Sequence, residues 1–161
     1  MSTDTNILGG RQLDDLLKTL APKVEKNIMR SALRAGGVVY RNKVMEGVPV
    51  HLGELKKTVR VATGSKGGVV TASVKVGSKK AWYGPLVEFG TRPHKIKPKN
   101  ARALEIGGAV VREVDHPGAT PHPFMRPAAD ASHAAAVAAV AAKIRQRLTK
   151  MGLDVPAPED V

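Results

Sequence analysis

His94, Asp115, His116 and His122 fall within one loop-rich stretch of the chain. Imidazole nitrogens and carboxylate oxygens are zinc ligands, and a structural site takes four of them in a fixed tetrahedron. The spacing here matches no compact ligand pair such as H-E-x-x-H. His116-Pro117 and His122-Pro123 are dipeptides that shape turns. With no cysteine in the chain, thiolate sites and disulfides are both excluded. A hydrolytic nucleophile finds no support either. Ser132 and His133 are adjacent within a helical pattern, where sequence neighbours point in different directions, and no G-x-S-x-G turn occurs. The run Gly64-Ser65-Lys66-Gly67-Gly68 could present backbone N–H groups to an anion, but it lacks the P-loop spacing and no helix follows it. It fits a hairpin turn. Glu88 is a lone acid among apolar and aromatic neighbours, with no second group beside it for acid–base work. It reads as pairing with a cation such as Arg92 or as accepting backbone hydrogen bonds. The expectation is a chain with no catalytic residues, no cofactor and no metal site.

Charge is the other route to a function. Lys and Arg number 26 against 14 Asp and Glu, a net charge of +12 that suits nucleic acid, an anionic membrane or an acidic protein partner. Residues 92–102 carry Arg92, Lys95, Lys97, Lys99 and Arg102 with no acid among them. Together with His94, these are the candidate partner or subunit interface. Single-strand nucleic-acid surfaces combine cations with stacking aromatics. Trp82, Tyr83 and Phe89 precede the basic run instead of interleaving with it. With Glu88, Phe124 and Met125, they read as structural anchors in the core.

The elements that must position these residues follow from periodicity. Leu13, Leu16, Leu17 and Leu20 predict a first helix, and Pro22 opens a longer one with Val24, Ile28, Ala32, Ala35 and Val39 on one face. Gly36 and Gly37 fall inside it, each costing about 1 kcal/mol against alanine, so they imply a bend or close packing. Val59 and Val61, then Val70, Ala72, Val74 and Val76, alternate with polar residues as two half-buried strands joined by the glycine-rich turn. Pro85 and Gly90 bracket one turn of helix. Residues 102–106 and 109–114 form a second hairpin across Gly107-Gly108. Pro127 opens a last helix with Asp130 near its start, cations at its end, and Val137, Val140, Ile144 and Leu148 as its apolar stripe.

The fold class is therefore α+β: about four mostly antiparallel strands packed against two long helices, with a long irregular loop. The helices are expected to cover one face of the sheet. Residues 1–10 read as a flexible N-terminus, 11–151 as one domain and 152–161 as a disordered acidic tail. No stretch approaches the apolar length of a membrane span.

Several pieces taken in order resemble a known family. They are an N-terminal helical region, Pro49 with Gly53-Glu54-Leu55, then Tyr83-Gly84-Pro85-Leu86-Val87-Glu88-Phe89-Gly90-Thr91 and His94. His116-Pro117-Gly118 and Pro123-Phe124-Met125-Arg126-Pro127-Ala128 complete the set. This resembles the tail-completion, or head–tail joining, family of long-tailed bacteriophages and prophages. The resemblance implies a structural virion subunit of the neck that assembles with itself as a six-fold ring. Its neighbours would be the head connector or stopper and the tail tube or terminator proteins, with DNA passing through the channel. It implies location in the virion neck or tail, reached from the host cytoplasm. The family has no catalytic residues to carry over. The alternative reading, on charge alone, is a basic nucleic-acid-binding protein.

Overall fold

The computed structural model describes residues 22–49, 53–99 and 101–153. The helix expected over Leu13 to Leu20, the first ten residues and the tail from 154 onward lie outside the described residues. The body is a pair of antiparallel helices, α1 (Pro22–Gly47) and α4 (Met125–Thr149). Ile28 near the start of α1 packs with Ile144 and Leu148 near the end of α4, while Val44 and Val48 pack with Phe124 and Ala128. Burying an aliphatic side chain of this size contributes about 1.5–3 kcal/mol. These two clusters are the main apolar support of the pair.

The contact stripe on α1 is Ile28, Ala32, Gly36, Tyr40, Val44 and Val48, a position every four residues. On α4 the stripe passes through Ala128, Ser132, Ala136, Val140, Ile144 and Leu148 at the same interval. The face expected on α1 is thus right at Ile28 and Ala32 but turns to Gly36 and Tyr40 where Ala35 and Val39 were expected. Val137, expected on the α4 stripe, is exposed. The reason lies in the small residues. A Cβ on Gly36 would sit 2.7 Å from Val140 Cγ2 and 2.9 Å from the Ala136 carbonyl oxygen, so the helices cross where neither carries bulk. Of the two explanations open for a mid-helix glycine, close packing is the one observed.

Strands β1 (Arg60–Lys66) and β2 (Val69–Lys75) form an antiparallel hairpin in register from Arg60–Lys75 to Lys66–Val69. Gly67 and Gly68 have φ of 57° and 83°, the two left-handed positions that a tight primed turn requires. The turn is therefore shorter than the five-residue run suggested, and Gly64, Ser65 and Lys66 belong to the strand. The hairpin lies on α1 at Gly37, where a Cβ would come 2.8 Å from Val61 Cγ1. A short helix α2 (Glu54–Lys57) leads into β1. Thr58 Oγ1 donates to the Leu55 carbonyl at 2.6 Å and accepts the Gly77 N–H at 2.8 Å, which ties the hairpin's open end. A second short helix, α3 (Gly84–Phe89), follows the hairpin.

Residues 91–99 and 101–119 form a double-stranded arm. Thr91 bridges to Ala119, β3 (His94–Ile96) pairs with β6 (Val114–His116), and β4 (Leu104–Ile106) pairs with β5 (Ala109–Val111). Neither ladder of the arm packs substantially on the helices or the first hairpin. The expected single sheet under the helices is replaced by three separate two-stranded ladders, and only β1–β2 rests on the body. The second hairpin is confirmed at its Gly107-Gly108 turn but is shorter than expected. Residues 114–116 leave it to pair with 94–96 instead. Part of the stretch expected to be irregular is thus β3.

Candidate functional site

Two of the segments on which the family resemblance rests meet at Glu88. Helix α4 starts after Phe124 with no side chain of its own capping it. The first N–H groups of any helix lack intrahelical acceptors. Glu88 Oε2 accepts the N–H of Phe124 at 2.7 Å and of Met125 at 2.9 Å, and Oε1 accepts that of Arg126 at 3.2 Å. The next residue, Pro127, has no N–H to satisfy. One buried carboxylate from α3 therefore completes the start of α4, and its charge opposes the positive end of the helix dipole. Burial pushes the Glu88 carboxyl up, but the three backbone N–H groups and the Arg126 guanidinium outweigh it and hold the group below the usual carboxylate range. Of the two roles expected for Glu88, backbone acceptor is the one seen, and Arg92 forms no ion pair with it.

Tyr40 fixes the same point from α1, its hydroxyl donating to the Met125 carbonyl at 3.0 Å. Burial, then the negative charges of Glu88 and Asp130, push its phenol above the ordinary value. Sequence reasoning did not single out Tyr40. The contact spans 85 residues, and no local pattern signals it. Asp130, expected to serve the start of α4, lies beyond its first turn, and Glu88 takes that place. Below this clamp, the His122 N–H donates to the Val87 carbonyl at 2.8 Å. Gly90, at φ 69°, would place a Cβ 2.5 Å from the Ala119 carbonyl oxygen. Gly118 similarly presses its backbone on the Thr91 carbonyl. The arm's two roots are held backbone to backbone.

The candidate interface residues lie along this arm, and they are not equivalent. Lys95 Nζ is 2.6 Å from Glu113 and 3.6 Å from Asp115, and Lys97 Nζ is 3.3 Å from Glu113. The run without acids in sequence is therefore partly neutralised by the strand across from it. Lys95 and Lys97 hold the Glu113 carboxyl below its usual range, and Glu113 in turn raises Lys95. Arg92, Lys99 and Arg102 are exposed and take part in no ion pair among the described residues. His94 stacks on His116 with ring centroids 5.0 Å apart. His94 Nδ1 is 2.9 Å from the Arg92 carbonyl oxygen, and His116 Nδ1 accepts the Gly118 N–H. No three His, Asp or Glu side chains among the described residues are grouped so as to hold a metal ion.

The anchors divide as well. Phe124 is buried, and Tyr83 and Met125 are half-buried against the same cluster. Trp82 and Phe89 are 67% and 72% exposed, which corrects their assignment to the core. The helical spacing of α3 explains it. Gly84 and Glu88 occupy the buried face of the helix with Ala81 buried just ahead of it, while Leu86 and Phe89 lie on the exposed face and Trp82 is exposed in the turn before it. That spacing was the signal available in the sequence.

No helix among the described residues is long and apolar enough to cross a membrane. No curated protein and no solved structure matches the chain. Residues 11–90, about half of the chain, match the family described as "Bacteriophage HK97-gp10, putative tail-component". The matched stretch takes in α1, the first hairpin and α3, and it ends where the arm begins. Through this stretch the chain belongs to the HK97-gp10-like family of phage tail components, a structural virion class.

Proposed function

We propose that the chain is a non-enzymatic subunit of the phage neck that joins the head connector to the tail, assembling with copies of itself as a ring. The observation that carries this reading is the arm. It is a ladder of 91–99 and 101–119 rooted on the body at both ends, with apolar and charged side chains that its own subunit leaves uncovered. A surface of that kind suits a subunit completed by its neighbours. The cations Arg92, Lys99 and Arg102 would steer the arm to acidic neighbours at the head or tail end.

The test replaces only those cations, which are in no ion pair among the described residues. In a strain deleted for the gene, an R92E/K99E/R102E chain is expected to fold normally, since exposed charges typically alter stability by less than about 0.5 kcal/mol each. Electron microscopy should then show DNA-filled heads and finished tails that remain separate. Normal joined particles would exclude these cations from joining. Lys95 and Lys97 are left out because Glu there would face Glu113 and Asp115.

A second reading, nucleic-acid binding, gains one specific support: Trp82 and Phe89 are exposed and lie within three residues of Lys79, Lys80 and Arg92 in sequence, the combination of aromatics with cations that single strands use. It predicts DNA affinity that falls with salt, with a log–log slope near about −0.9 per phosphate neutralised on duplex and about −0.7 on single strands. Empty heads in place of unjoined particles would favour it.

A further inference from the structure

The two ends of the helix pair are finished differently. At the end that carries the Glu88 clamp, Val44 and Phe124 pack with Leu55, Val59 and Ala81 from elements outside the pair. At the other end a groove of about 300 Å³ opens between the start of α1 and the end of α4. Val24, Asn27 and Ile28 line one side of it, and Arg147, Lys150 and Met151 the other. Ile28 is buried, Val24 is half-buried and Met151 is exposed, so apolar surface lies open along both sides. After Gly152, Leu153 folds back onto the same cluster, its N–H donating to the Leu148 carbonyl at 3.2 Å. Arg147 and Lys150 are exposed and take part in no ion pair among the described residues.

We propose that the chain's own residues 13–20 dock in this groove as a short helix laid across the end of the pair, with the leucines inward. Continuity of the chain names the occupant. The segment ends at Leu20, just ahead of Pro22, and the groove residues Val24 to Ile28 lie within about 9 Å of Pro22 along α1 at 1.5 Å per residue. Proline disfavours helical backbone in the residue before it, so Ala21 separates the segment from α1 and lets it turn. Leu13, Leu16, Leu17 and Leu20 share one helical face, and a helix this short is marginal in water without a cover. The exposed surface at Trp82, Leu86 and Phe89 is out of reach. It adjoins the Val44 cluster, about 30 Å along α1 from Val24, whereas eight helical residues span about 12 Å. Charge agrees with the assignment. At 3.6 residues per turn Asp14 is the charged residue nearest the leucine face, with Arg11, Asp15 and Lys18 on the far side, and both charged groups of the groove are cations. The family match begins at residue 11, so the matched unit includes this segment. Residues 154–161, with Pro156, Pro158 and no apolar period, offer no comparable face. The contact lies at the opposite end of the body from the arm and does not depend on the neck reading.

The full chain has no native cysteine, so a designed disulfide is unambiguous. With Leu17→Cys and Met151→Cys in one chain, mild oxidation should consume both thiols in a species that stays monomeric. Asp15→Cys with Met151→Cys uses the same tether from the opposite helical face. Its yield should be lower by about tenfold, because a disulfide needs Cα atoms within about 7 Å of each other. Adding Leu13→Ser and Leu20→Ser to the Leu17→Cys chain leaves the described body untouched and should also lower the yield about tenfold, by removing the apolar face that holds the segment in place. Equal yields from positions 15 and 17 would show only tethered proximity and overturn the proposal, as would no disulfide from either. Disulfides that join two chains would overturn it in favour of a second copy. A disulfide between Asn27→Cys and Val161→Cys, formed where the Leu17→Cys pair gives none, would overturn it in favour of the tail.

Discussion

Replacing Glu88 with alanine is expected to destabilise the protein by about 3 kcal/mol, since one buried donor and two half-buried ones lose their acceptor and an unsatisfied buried donor costs about 1–3 kcal/mol. For a chain of this size that corresponds to a melting temperature lower by roughly 6–12 °C. Glu88→Gln should fall between the two. Its carbonyl oxygen can still accept, but its amide group presents N–H to N–H where a carboxylate oxygen stood. Thermal unfolding of the three chains checks the order, and equal melting temperatures would remove Glu88 from the architecture. The pH dependence follows in sign. The folded-state value lies below the ordinary 4.5, so the stabilisation is fully present above about pH 4.5 and is lost as pH falls through the lower folded value. Acidification below that point should therefore destabilise the unsubstituted chain more steeply than the glutamine variant.

A change at Gly36 should invert the usual rule for helices. Glycine to alanine inside an exposed helix stabilises by about 1 kcal/mol. Here the added Cβ would meet Val140 Cγ2 at 2.7 Å and the Ala136 carbonyl oxygen at 2.9 Å, and backbone cannot rotate aside as a side chain can. Gly36→Ala is expected to cost about 1–3 kcal/mol, the range for overpacking, and Gly36→Leu more. Gly37→Ala should be milder, because only the Val61 side chain stands in the way, at 2.8 Å. Denaturant unfolding of the two alanine variants tests this, and a stabilised Gly36→Ala would show that the helices cross elsewhere.

How much of this could be read from the sequence depended on how local each signal was. Both long helices were legible, because Pro22, Gly47 and Pro127 punctuate strong apolar patterns. The Gly107-Gly108 turn was legible because two successive left-handed residues leave few alternatives to glycine, whereas the first hairpin's turn was placed correctly but read too long, since Gly64 looked like part of it and is strand. The β3–β6 ladder was not. It is three residues a side, lies within a run of cations and prolines, and is closed by pairing across about twenty residues. The neutralisation of Lys95 and Lys97 was hidden with it, since Glu113 and Asp115 become their neighbours only once that register exists. Trp82 and Phe89 misled for a different reason. Residue type argues for burial, and only the phase of a one-turn helix, set by where Gly84 and Glu88 must sit, turns them outward.

The arm leaves the body at Thr91 and returns at Ala119, and these two residues are bonded to each other. In polymer terms, the segment between them is a loop whose closure is already enforced by its stem. Entropy then depends only weakly on its length: doubling such a loop costs about 0.6 kcal/mol. The helix pair and the Glu88 clamp are indifferent to how far the arm extends. Reach and sequence beyond the stem can therefore diverge quickly in evolution while the body stays the same, and a chain of this design can be refitted to a new neighbour without being refolded.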